Sequence, residues 1–241
     1  MLMGVLFSDY FHASEFTGEH LAPLATAHPI AIAIAAAGSL HCPDVPFTHI
    51  QRPPGHDVPV DVLLWRPGLP GANGTFVVHL AQPPSVPTLV RLNPATPTPA
   101  MTTAHELGHV MDHLLKVRLI GPSHVSRHQD LFASEALHPL LRPWWQAVTA
   151  SALYPRLSAA PPAGPVRDSS STYGLPDNSP SECFACSYAQ LVATETRNEP
   201  LLQDLRTLQA RRTPRYWPDQ EFVPIAAALR ALFVTLGWSQ P

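Results

Sequence analysis

The sequence predicts an α+β domain: a small, mostly antiparallel sheet packed on one long helix, with a mainly helical C-terminal half. Three observations lead there. Four short runs rich in β-branched residues, broken by Pro and Gly, fill 45–93. An apolar stripe at helical spacing, Leu107, Val110, Leu114 and Val117, follows Thr98-Pro99, which reads as an N-cap with proline at the first helical position. After Ser179 the helical period returns and holds to Leu236.

The chain has 241 residues, enough for one large core, and 45% hydrophobic against 14% charged content marks it as globular. We therefore treat 1–241 as one domain, with an N-terminal helix-and-sheet part over 1–95 and the long helix, an insertion and further helices over 96–241. The formal net charge of -3 supplies no basic field, which disfavours nucleic acid as a partner. Met1 to Phe7 is apolar but lacks a basic leader, and the longest apolar run, Ile30 to Ala37, is too short to span a bilayer. The expectation is a soluble, cytoplasmic protein without a membrane span, with non-classical export left open. Three cysteines, Cys42, Cys183 and Cys186, are an odd set that suggests reduced thiols rather than a disulfide framework.

In chain order, Glu19 to Ala37 is rich in alanine and reads as a helix stopped at Gly38. The strand runs are Val45 to Gln51, Val58 to Trp65, Thr75 to Ala81 and Thr88 to Asn93, with Pro67-Gly68, Pro70-Gly71 and Asn73-Gly74 marking a turn. The last run directly precedes the long helix and is either an ordinary core strand or, by fold analogy, one that edges a cleft and pairs with an extended peptide. That helix runs from about Pro99 to about Arg118. Residues 119–171 form an insertion or lid, with helical fragments at Asp130 to Leu137 and Pro143 to Leu153, core tryptophans Trp144 and Trp145, and a Pro-rich loop from Pro155 to Pro165. Three helices close the chain, opening near Ser179-Pro180, Pro200 and Asp219, the last ended by Gly237.

The long helix carries His105-Glu106-Leu107-Gly108-His109. Residues four apart share a helix face, so both imidazoles can converge on one ion while Glu106 sits beside them as a general base. This is the zinc-binding motif of zincins. Asp112 falls on the same face and is expected to hold a ligand histidine in its tautomer from behind the metal. Gly108 costs about 1 kcal/mol relative to Ala within a helix, which suggests close packing beneath the metal.

A catalytic zinc site needs three protein ligands and an open position. The metzincin continuation would require Gly at 112 and His at 115, where this chain has Asp112 and Leu115, so a glutamate from elsewhere is expected. Glu135, Glu182, Glu195, Glu199 and Glu221 are the candidates. Ser179-x-x-Glu182 also fits a capping box, and the distance of Glu135 from His109 is nearer that of thermolysin-like enzymes. Cys183 and Cys186, three apart, read as small buried hydrophobes rather than ligands. His113, His124 and His128 carry no assignment.

Two blocks, His105-Glu-Leu-Gly-His-Val-Met-Asp112 and Glu182-Cys-Phe-Ala-Cys-Ser-Tyr188 with Tyr173-Gly174 before it, resemble the catalytic domain of the anthrax lethal factor family. The resemblance implies a zincin-like, gluzincin metallopeptidase fold, with Zn2+ held by His105, His109 and Glu182. It also implies Tyr173 as a catalytic tyrosine over the metal. Glu106 would then take the proton of an attacking water, and peptide hydrolysis of a protein or peptide substrate is the reaction such a set performs. Two other readings share these residues: an intracellular regulatory metalloprotease cleaving a repressor-like partner, and a zinc-stabilised interaction domain without turnover. Substrate, biological role and oligomeric state are not legible in the sequence.

Overall fold

The computed structural model describes residues 29–41, 61–64, 74–79, 86–92, 96–120, 138–159, 179–212 and 214–240. The run at Val45 to Gln51, the fragment at Asp130 to Leu137 with Glu135, and Tyr173 lie outside the described residues, as do Cys42, His124 and His128. In order, the described elements are α1 (Pro29–Ser39), β1 (Asp61–Leu64), β2 (Gly74–His79), β3 (Val86–Leu92) and α2 (Pro99–Ile120). A 3-10 turn (Pro139–Leu141), α3 (Arg142–Ala150), α4 (Tyr154–Ala159), α5 (Pro180–Thr196), α6 (Glu199–Gln209) and α7 (Asp219–Thr235) follow.

The expected α+β class, with a mostly antiparallel sheet packed on the H-E-x-x-H helix, is corrected. Every stretch whose side chains are described is helix, turn or loop, and the core they build is helical. The three strand segments are short and form a mixed set in the order β1-β3-β2, with β1 parallel and β2 antiparallel to β3. β3 therefore has both backbone edges paired: Val90 faces Val62 on one side and Phe76 on the other. The edge-strand alternative for Thr88 to Asn93 is not available to it. The β-branched runs are genuine, but runs of 4 to 7 residues cannot carry a core that five longer helices already fill.

The centre of that core is α5. From Cys183 to Ala193 every residue is buried, so this helix is enclosed all round rather than amphipathic. Its most extensive partner is α2, and α1 lies against both. Glycine makes the α2–α5 approach possible: a Cβ built at Gly108 would lie 2.7 Å from Ala185 Cα and 2.9 Å from its carbonyl oxygen. Met101, Leu107, Met111 and Leu115 of α2 and Phe184 and Tyr188 of α5 are all fully buried in the same core.

The buried polar groups of the core are paired in ways that fix its loops. Gln190 of α5 clamps the segment before α7: its Nε2 donates to the Trp217 carbonyl at 2.8 Å, and Trp217 N–H donates to its Oε1 at 3.0 Å. The Trp217 and Trp144 indoles, both fully buried, donate to Ser151 Oγ at 3.0 Å and Ser187 Oγ at 3.2 Å. Trp145, expected in the core beside Trp144, is only partly buried, its ring edge-on to Tyr154.

The start of α2 is capped from another helix. Ala100 N–H and Met101 N–H donate to Asp204 Oδ2 of α6 at 2.9 and 3.1 Å, placing a carboxylate at the positive end of the helix. The expected Thr98 serves through its backbone, its carbonyl accepting from Thr102 N–H at 2.9 Å. No helix among the described residues is long and apolar enough to cross a membrane.

Candidate metal centre

His105 and His109 stand one turn apart on α2, and α5 presents Glu182 to them from the first turn after its cap. Ser179 Oγ accepts from Glu182 N–H at 3.2 Å, so half of the capping box forms. The Glu182 carboxylate, however, turns to the histidines: its Oε2 is 3.4 Å from His105 Nε2 and its Oε1 is 3.3 Å from His109 Nε2. The two Nε2 atoms are 3.2 Å apart. Among the described residues this is the group of side chains that could hold a metal ion.

These separations can be compared with what an ion requires. Tetrahedral zinc with ligand distances of about 2.0–2.1 Å sets its ligand atoms roughly 3.3–3.4 Å apart. The Nε2–Nε2 separation of 3.2 Å is close to that spacing, and the Glu182 carboxylate brings one oxygen to a similar distance from each imidazole, 3.4 Å from His105 and 3.3 Å from His109. Two neutral imidazoles and a carboxylate are also the donor set of a His2Glu zinc site, so the residues present fit the ion. The side chains are about one-seventh exposed, sunk but open on one side.

Electrostatics follows the same convergence. Burial opposes a charged His109, but the hydrogen bond and charge of Glu182, with the charges of Glu106 and Asp112, push its pKa up to about 9. Burial also opposes a charged Glu182, yet hydrogen bonds and charge from His105 and His109 hold its carboxyl well below the ordinary range. A protonated His109 and an ionised Glu182 thus stabilise each other.

The remaining predicted residues are placed as follows. Glu106 is buried on α2, and its charge reaches His109. Asp112 is buried, and the hydrogen bonds described for it go elsewhere than to a histidine: Ser181 Oγ donates to its Oδ2 at 2.8 Å and Lys116 Nζ at 2.7 Å. Its Oδ1 is buried with no described partner. Glu195 pairs with Arg230, Glu199 with Arg206, and Glu221 accepts from Leu153 N–H, so each is engaged away from the two histidines.

Three contributions escaped the sequence. Ser181, beside Glu182, ties the start of α5 to Asp112 of α2. Cys186, one turn beyond Glu182, brings its sulfur to 3.6 Å from His105 Nδ1. Tyr216 is buried before α7, its hydroxyl pushed well above the ordinary range by burial and then by the charges of Cys186, Glu182 and Glu106. The i, i+4 spacing of Glu182 and Cys186 was a readable signal for the second; no local pattern marks the other two.

No protein-family model matches the chain, and no curated protein or solved structure matches it.

Proposed function

We propose that this chain is a zinc-dependent endopeptidase of gluzincin type, hydrolysing peptide bonds in a protein or peptide substrate. The observation that carries the reading is the convergence of His105 Nε2, His109 Nε2 and the Glu182 carboxylate, whose two oxygens lie 3.4 and 3.3 Å from the respective imidazoles, next to a helix that also bears Glu106. The motif blocks' resemblance to the lethal factor family supports it from sequence. That resemblance also offers Tyr173 as a tyrosine over the site.

Zinc bound there would lower the pKa of a water towards about 7 and polarise a substrate carbonyl. The protein's part is binding, orientation and proton transfer. His105, His109 and Glu182 would hold the ion. Glu106 accepts the proton of the attacking water at its carboxylate and passes it to the departing amine. Asp112 lies one turn beyond His109, with its Oδ1 buried and without a described partner. Its charge already reaches His109.

The test is metal stoichiometry with an activity screen. Wild type should take up one zinc per chain at low free zinc, Glu182→Ala should bind far more weakly, and a peptide library should be cut in a chelator-sensitive way. Zinc bound equally by both proteins would remove Glu182 from the site. Zinc uptake without cleavage of any peptide would leave an interaction domain instead.

A further inference from the structure

His105 has two ring nitrogens facing two different groups. Nε2 faces His109 and Glu182, and Nδ1 faces the Cys186 sulfur at 3.6 Å. One helix, α5, therefore supplies both the carboxylate in front of this imidazole and the thiol behind it, from positions one turn apart. The contact is enclosed: Cys186 is 5% exposed, and the backbone cannot shift, because Ala185 is pressed against Gly108 between the two histidines.

A histidine that ligates through Nε2 must carry its proton on Nδ1, and ligand histidines almost always donate that proton to a carboxylate, carbonyl or water. Here the group at donating distance is a sulfur, a weak acceptor, within range for a sulfur hydrogen bond. We infer that Cys186 is the positioning residue for His105: its sulfur accepts the Nδ1–H hydrogen bond, which fixes the imidazole in the tautomer and rotation that leave Nε2 free for the metal. The sulfur lies on the side of the ring away from the ligand triangle, so the role differs from ligation. It rests on the His-His-Glu reading proposed above.

The experiment measures zinc affinity by chelator competition for wild type, Cys186→Ser, Cys186→Val and Glu182→Ala, with Cys183→Ser as a control cysteine. Removing a partner of this kind typically costs 10–100-fold in affinity. Cys186→Val, which keeps the volume and loses the acceptor, should weaken zinc binding about 10–100-fold. Serine, which can accept, should restore most of it. Two spectroscopic readouts do not depend on the variants folding. Nitrogen NMR of the zinc-loaded wild type should find His105 protonated at Nδ1, and the cobalt-substituted wild type should lack a thiolate charge-transfer band. Wild-type affinity in Cys186→Val, an unprotonated Nδ1, or a thiolate band that vanishes in Cys186→Ser would each overturn the inference. If wild type binds one zinc and Glu182→Ala does not, such a result removes only the role of Cys186. If wild type binds none, the metal reading falls and this inference falls with it.

Discussion

Gly108 and Ala185 meet backbone to backbone: a Cβ on the glycine would stand 2.7 Å from Ala185 Cα, closer than real Cβ contacts allow. The residue sits between His105 and His109, and Ala185 lies three positions beyond Glu182. This close approach of α2 and α5 thus lies beside the point at which His105, His109 and Glu182 are brought together.

Gly108→Ala is the first consequence. Alanine gains about 1 kcal/mol in helix propensity, but overpacking against backbone costs about 1–3 kcal/mol, and neither helix can yield a side chain to relieve it. The variant should unfold at lower denaturant than wild type and bind zinc more weakly, because separating the helices withdraws Glu182. A variant as stable as wild type with unchanged zinc affinity would show that the crossing is loose.

Glu182→Gln should release His109. With the carboxylate gone, its pKa should fall from about 9 towards the ordinary 6.5, measured by imidazole proton shifts in chelator-treated protein. A His109 that still titrates near 9 would place the cause elsewhere.

Stability of the metal-free chain should follow the same pair. A raised His109 pKa contributes stability that is complete below about 6.5 and lost as pH rises through about 9. A depressed Glu182 pKa contributes stability that is present above about 4.5 and lost as pH falls below it. Urea unfolding of the chelated chain should therefore show a stability maximum between about 4.5 and 6.5, flattened in Glu182→Gln. Zinc uptake near neutral pH should expel a proton, visible as heat that depends on buffer ionisation.

Glu106→Gln should keep zinc and lose hydrolysis by roughly 10²–10⁴-fold, the usual worth of a positioned general base. Full activity in this variant would reassign the proton transfer.

Ser181→Ala tests the tie between the two ligand-bearing helices. It removes one of two described donors to a buried carboxylate whose other oxygen has none, a loss worth about 1–3 kcal/mol. Equilibrium unfolding should register it, with a smaller fall in zinc affinity. No change in either would mean that Lys116 alone satisfies Asp112.

The sequence exposed what is encoded locally. The α2 helix, with its histidines one turn apart, is a short-range pattern of cap, proline and apolar stripe, and it runs from Pro99 as expected to within two residues of the expected end. The C-terminal helices were equally readable, from Pro180, Glu199 and Asp219. The fold class was not, because period-two runs such as Val58 to Leu64 say nothing about whether sheet or helix fills the core. The cap from Asp204, the Ser181–Asp112 bond and the Cys186–His105 contact join residues 69 to 104 positions apart, and only the last has a local sign, the i, i+4 spacing of Glu182 and Cys186.

The enclosure of α5 has a last implication for how the site breathes. Amides of a helix buried on every side exchange with solvent only through large-scale opening, whereas loops and frayed ends exchange through small local fluctuations. Glu182 stands in the first turn, directly before that enclosed stretch from Cys183 to Ala193, so the backbone behind the carboxylate is anchored in the slowest-opening part of the helix.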